Sequence, residues 1–162
     1  MRLTIRTNLA MRVLMTCAVN PGHSITKAEI ADKCNASKNH LGQVIRQLAH
    51  LGYIKALRGR NGGMYLARCP EDIRVGDVFR LFEADLPFAE CFDEKDNNCP
   101  LIGSCWLRPA LKRAVEAFYS SLDKICLADL VEGNTDLVTI LNMPEGKAAP
   151  VMCGGDGRLS VN

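Results

Sequence analysis

Acidic residues are scarce in the first part of this 162-residue sequence. Residues 1–70 hold only Glu29 and Asp32, against 11 Lys and Arg. Residues 71–162 reverse the balance, with 9 basic and 16 acidic side chains. The formal net charge of +2 therefore hides a first part at +9 and a second at −7. A polyanion such as nucleic acid suits the first part and not the second, the alternative being an ordinary charged surface. Also missing is any run of about 18–20 uninterrupted apolar residues, which excludes a membrane-spanning helix. The start carries a basic residue but neither a long apolar region nor a small-residue cleavage site, so the expected location is cytoplasmic. There is no Gly-rich phosphate loop after a strand, no H-E-x-x-H and no convincing nucleophile–base set, which argues against an enzyme. With 48% hydrophobic residues there is enough for one real core with appended elements.

What is present begins with a helical stripe, Leu9, Ala10, Val13, Leu14, Cys17 and Ala18, over Thr7 to Asn20. Pro21-Gly22 stops it. Thr26-Lys27-Ala28-Glu29 has the form of a capping box, predicting a short helix from about Lys27 to Cys34. After a turn at Asn35-Ala36, Ser37 can cap a second helix that runs to about Leu51. It would bury Leu41, Val44, Ile45, Leu48 and Leu51, with Gly52 placed to end it. Two helices joined by so short a turn make a helix-turn-helix, whose second helix offers its N-terminal residues to the major groove. The exposed candidates for DNA are Ser37, Lys38, Asn39, His40, Gln43 and Arg46. Asn, Gln and Arg can pair two hydrogen bonds with a base edge, while Ser and Lys also suit phosphates.

Two short strands follow, Tyr53–Leu57 and Met64–Ala67, flanking Arg58-Gly59-Arg60-Asn61-Gly62-Gly63. Asn-Gly is a strong hairpin signal because both residues tolerate positive φ. Arg58, Arg60 and Asn61 would then sit near the tip of a basic wing, where arginine can meet phosphates or a narrow minor groove. The predicted fold is mainly α with a small β-hairpin wing, a winged helix-turn-helix.

After a further helix from about Val75 to Phe82, an acidic loop carries Cys91, Cys99 and Cys105 with C-x7-C-x5-C spacing. Zinc sites favour close Cys pairs and four protein ligands, and neither holds here. Three thiolates on a loop suit an iron–sulfur cluster in which each sulfur takes a different iron. Zinc with an outside ligand, a bare thiol switch and buried structural cysteines remain alternatives. Cys17, Cys34 and Cys126 fall on apolar helical faces and read as core, while Cys69, at the end of the wing, and Cys153, in the tail, receive no role.

Pro109 suits the first turn of a helix reaching about Asp129, on which Leu111, Val115, Phe118, Leu122 and Ile125 recur at 4-3-4-3 spacing. That seam fits a dimerisation helix, although a core helix of a monomer has the same pattern. Thr135 to Leu141 reads as a last short helix. The division is therefore 1–84 winged helix, 85–106 cysteine loop, 107–142 dimerisation helix and short C-terminal helix, and 143–162 flexible tail.

Residues 1–142 resemble the winged-helix iron–sulfur repressors that include IscR, NsrR and RirA. The resemblance rests on Met1-Arg2-Leu3-Thr4, on the Arg58-Gly59-Arg60-Asn61-Gly62-Gly63 wing and on the three loop cysteines together. It implies a homodimer on a palindromic DNA operator, with a cluster, most simply [4Fe-4S], controlling affinity. IscR-like members place a histidine ligand just after the third cysteine, where Trp106-Leu107-Arg108-Pro109 stands here. NsrR-like members can draw an aspartate from the partner's first helix, at the place of Asn8, and an amide is a poor substitute on iron. RirA-like members are similar in that Asn and in the cysteine spacing. Ser37-Lys38-Asn39-His40, Ile73–Val78 and Leu127–Glu132 look more like NsrR. The resemblance thus implies nitric oxide sensing, with iron sensing or a cluster-free or zinc-bound DNA-binding module as alternatives.

Overall fold

In the computed structural model, residues 3–57, 62–83, 87–93, 97–143 and 146–153 are described. The Thr4 hydroxyl accepts from the Thr7 N–H and so opens helix α1, Ile5–Val19. This helix buries Thr7, Leu9, Ala10, Met11, Val13, Leu14, Thr16 and Cys17, more than the single stripe expected. The reason is tertiary: α3, α4, α6 and β3 pack on it from several sides.

Strand β1 (His23–Ser24) leads to α2 (Lys27–Lys33) and α3 (Lys38–His50). The capping box is formed, with Glu29 N–H donating to Thr26 Oγ1 at 3.3 Å and Thr26 N–H to Glu29 Oε2 at 2.7 Å. Asn35, at φ 46°, takes the left-handed place that ends α2, and Ala36 N–H closes onto Ala31 C=O at 2.9 Å. Gly52, at φ 71°, ends α3 the same way, with Tyr53 N–H on Leu48 C=O at 2.9 Å. Leu41, Val44 and Leu48 are buried, while Ile45 and Leu51 are half-buried against the same core.

Strands β2 (Ile54–Ala56) and β3 (Met64–Leu66) pair antiparallel, with Ile54 opposite Leu66. Arg58, Arg60 and Asn61 lie outside the described residues. Ile25 and Met64 exchange both backbone hydrogen bonds, at 2.9 and 2.7 Å, so the chain before α2 flanks the hairpin.

A turn at Pro70–Asp72 precedes α4 (Val75–Glu83), and later come α5 (Leu107–Leu122), α6 (Leu127–Val131) and α7 (Thr135–Leu141). Here the sequence expectation needs correction, for no single helix reaches Asp129. Ile73 and Val75 bond across to Leu127 and Ile125 at 2.9 Å each, forming an Arg74–Cys126 bridge that pulls Ile125 out of the helix. Cys126 is buried as expected, but at the start of α6, where Asp129 accepts its N–H at 2.8 Å.

A second correction concerns the stretch read as a free tail. Met143 is buried, and β4 (Lys147–Ala148) pairs antiparallel with β1. Asn20, only 3% exposed, binds this return: its Nδ2 donates to Thr16 and Leu141 carbonyls and its Oδ1 accepts from Met143 N–H.

Candidate nucleic-acid interface and cysteine loop

Ser37, Lys38, Asn39, His40, Gln43 and Arg46 all stand exposed on α3. Ser37 occupies the N-cap position, yet its side chain makes no capping bond. Its hydroxyl is left to solvent, or to a phosphate laid against the helix start. Gln47, one turn beyond Gln43, is half-buried and bonded within the protein instead. It accepts from Arg6 at 2.6 Å and donates to the Leu81 carbonyl at 3.4 Å, tying α3 to α1 and to the last turn of α4.

Asn8 is exposed on α1, beside a cleft of about 350 Å³ that it lines with Arg12, Ser37 and His40. None of Cys91, Cys99 and Cys105 lines that cleft. Within one chain, therefore, Asn8 is grouped with the start of α3 and not with the cysteine loop.

The loop follows α4 and runs into α5. Cys91 lies in a 3-10 turn at Glu90–Phe92, and all three loop cysteines are free and half-buried. Among the described residues, the loop closes on itself: Asn98 N–H donates to Glu90 Oε1 at 3.0 Å, and Arg108 Nε donates to the Cys91 carbonyl at 2.9 Å. Arg108 is in the first turn of α5, so this bond fixes the first cysteine against the helix that follows the third. Cys99 N–H is held by Asn97 Oδ1 at 3.0 Å. Trp106, beside Cys105, is 90% exposed and offers no ligand.

Among the described residues, these thiols do not form a group whose donor atoms all lie within 4.8 Å of one another. Such closeness is required of donors sharing one ion, not of thiolates that each take a different iron. Three uncommitted thiols without a neighbouring histidine thus fit an iron–sulfur cluster better than a mononuclear site.

The junction between α4 and its surroundings was not foreseen from sequence. Glu83 Oε1 accepts from Thr4 N–H and Thr4 Oγ1, each at 2.9 Å, and from the Thr7 hydroxyl. These partners lie 76 to 79 residues away, so no local pattern could reveal them. Helix α4 also meets α5. Arg80 makes a two-bond contact with Asp123 at 2.5 and 2.7 Å and lies 4.8 Å over the Tyr119 ring. The Arg80 guanidinium holds the Asp123 carboxyl below its usual range. Gly76 is what lets the helices approach, for a Cβ there would sit 1.9 Å from Asp123 Oδ1 and 3.0 Å from its backbone nitrogen.

Cys17 and Cys34, read as core, behave differently. Burial pushes the Cys17 thiol up to about 12, so it stays a neutral core group. Cys34 is half-buried at the end of α2, with its sulfur 3.9 Å from Thr16 Oγ1. No described helix is long and apolar enough to cross a membrane.

Comparison with known proteins agrees with the winged-helix fold. The sequence model of the Rrf2 family, described as "Iron-dependent Transcriptional regulator", matches residues 3–133. The chain is 41% identical over 146 residues to the HTH-type transcriptional regulator NsrR of Bacillus subtilis, covering 90% of this chain and all of that one. It is 39% identical over 150 residues to the HTH-type transcriptional repressor NsrR of Streptomyces coelicolor, again covering 90% and all. Among solved structures, the oxidized form of Staphylococcus aureus CymR superposes with a TM-score of 0.64 at 25% identity, over 82% of this chain and 97% of that one.

Proposed function

This chain belongs to the Rrf2 family of winged-helix DNA-binding transcription regulators, and from that premise we propose a homodimeric repressor whose cysteine loop carries a nitric-oxide-responsive iron–sulfur cluster. Cys91, Cys99 and Cys105 hold the cluster, of the [4Fe-4S] type, and the palindromic operator is read by Ser37, Lys38, Asn39, His40, Gln43 and Arg46. Arg58, Arg60 and Asn61 of the wing add phosphate or minor-groove contacts. When bound, the cluster supplies covalent iron–thiolate restraints that nitric oxide can destroy.

The observation that carries this reading is the bonding of the last turn of α4. The cysteine loop leaves from that turn. Leu81 C=O is bonded to Gln47 of the recognition helix, and Glu83 to Thr4 and Thr7 of α1. Ordering the loop holds this turn in place, and with it the base of α3. Half-sites on one face of DNA lie about 34–36 Å apart, so a small displacement of each α3 weakens simultaneous engagement. Glu83 and Gln47 act as positioning residues, while the exposed face of α3 makes the contacts.

The homodimer reading rests on α5. None of its 16 residues is buried, and Leu107 is 63% exposed. A long apolar-seamed helix that packs on α4 yet leaves Leu111, Val115 and Phe118 only half-buried suits a second copy. A second reading, response to iron availability, is favoured by Asn8, which offers no carboxylate as a fourth ligand.

The test is iron and acid-labile sulfide per chain with an absorbance spectrum, on protein purified without oxygen. About four of each with a broad band near roughly 400 nm is expected, and Cys99→Ala should lose both. Operator binding is then followed with nitric oxide and, separately, with a chelator. Loss with nitric oxide supports the first reading, and loss with chelator alone the second. A Cys99→Ala protein that keeps its colour and its response sinks both.

A further inference from the structure

Two cysteines without a role in the regulator's loop are brought together by the fold. Cys69 follows β3 and Glu71 lies two residues on, while Cys153 lies beyond β4. The pairing of β4 with β1, extended by Ala149 N–H on the Gly22 carbonyl at 2.7 Å, carries the chain back to the end of β3. Cys69 Sγ then meets the Met152 carbonyl at 3.2 Å, and Cys153 Sγ lies 3.8 Å from Glu71 Oε2. The two sulfurs and the Glu71 oxygen all lie within 4.8 Å of one another, the one such constellation among the described residues.

Among the described residues, no ion pair engages the Glu71 carboxylate beside these two thiols. Arg68 is close in sequence but is engaged elsewhere, bonding Leu51 and Gly52 carbonyls at 2.8 and 2.9 Å and lying 4.4 Å over Tyr53. The described ion pairs are those of Arg80. We propose that Cys69, Cys153 and Glu71 bind one thiophilic divalent cation of the zinc class, separately from the cysteine loop. With metal–sulfur bonds of about 2.3 Å in a tetrahedron, neighbouring donors stand about 3.8 Å apart. Side-chain rotation of these exposed and half-buried groups closes the remaining gap.

A Cys69–Cys153 disulfide is the competing occupant, and Glu71 speaks against it. Glu71 stands within reach of both sulfurs and offers a third donor. A divalent cation takes all three donors, whereas a disulfide leaves the carboxylate unused. The three ligands leave a fourth position for water. The bound ion would clamp the returning strand, residues 146–153, to the winged-helix body.

The experiment uses the full chain with Cys91, Cys99 and Cys105 replaced by Ala, titrated with Co²⁺ as a spectroscopic probe. One equivalent should give thiolate charge-transfer absorption and the visible bands of a tetrahedral site, displaced by Zn²⁺. Cys69→Ser or Cys153→Ser should weaken binding at least tenfold, and Glu71→Gln severalfold. Native mass spectrometry of the wild-type, cluster-bearing chain provides a second measurement: one zinc is expected beside the cluster, lost in Cys153→Ser with the cluster kept. Binding that Cys153→Ser leaves unchanged overturns the proposal. So does a Cys69–Cys153 disulfide, two mass units lighter, in protein purified without oxygen.

Discussion

Asn20 shows how one polar side chain can organise distant backbone. It is buried, and its amide serves the Thr16 and Leu141 carbonyls and the Met143 N–H at 2.7–2.9 Å. An unpaired buried polar group costs about 1–3 kcal/mol, and Asn20→Ala would orphan groups at the end of α7 as well as on α1. We expect Asn20→Ala to lower unfolding free energy by about 2–4 kcal/mol, measured by urea titration. Asn20→Asp should not recover the loss, because a carboxylate can still accept from Met143 but cannot donate to the Thr16 and Leu141 carbonyls. A loss below about 0.5 kcal/mol would mean that water replaces the amide at this site.

Helix α4 is the element on which the others converge. Its first turns admit Asp123 over Gly76, its middle pairs Arg80 with Asp123, and its last turn holds Thr4 and Thr7 through Glu83. The Asp123 carboxyl is depressed below its ordinary value by Arg80. A folded-state value lower than the unfolded one stabilises above the ordinary carboxylate range near pH 4, and that stability fades as pH falls through the folded value. Acid should therefore loosen α4 from α5. Comparison of thermal unfolding at pH 7 and at about pH 3 should show a smaller fall for Asp123→Asn than for the wild-type chain. An equal fall in both would place the acid sensitivity elsewhere.

At the scale of the molecule, a basic winged-helix half and an acidic half share one core centred on α1, while α5, packed on α4, buries none of its residues fully. The exposed Leu107, Leu101, Ile102 and Trp106 cluster in sequence around the third loop cysteine and the start of α5. In a homodimer this surface would be covered, and the cysteine loop would sit beside the interface. Leu107→Glu, at an exposed position that leaves the monomer core untouched, should shift the chain to monomer in analytical ultracentrifugation. Because paired half-sites need paired proteins, its operator affinity should fall more than tenfold while non-specific, salt-dependent binding persists. A dimer that survives Leu107→Glu would direct attention to the Leu111–Val115 part of the seam.

Local chemistry accounts for what was legible beforehand. Thr26 and Glu29 form a capping box, Asn35 and Gly52 tolerate the left-handed backbone that ends α2 and α3, and Leu41, Val44 and Leu48 recur at helical spacing. These signals act within a few residues, so the sequence alone determined the helix-turn-helix, the strands flanking the wing and the exposed face of α3. It also determined which cysteines share a loop. The break at Ile125, the seating of residues 146–153, the Glu83 junction and the meeting of Cys69 with Cys153 belong to tertiary structure alone. Each joins groups some 50 to 125 residues apart. Such pairings depend on how helices and strands pack around α1, and no periodicity or spacing within a segment records that geometry.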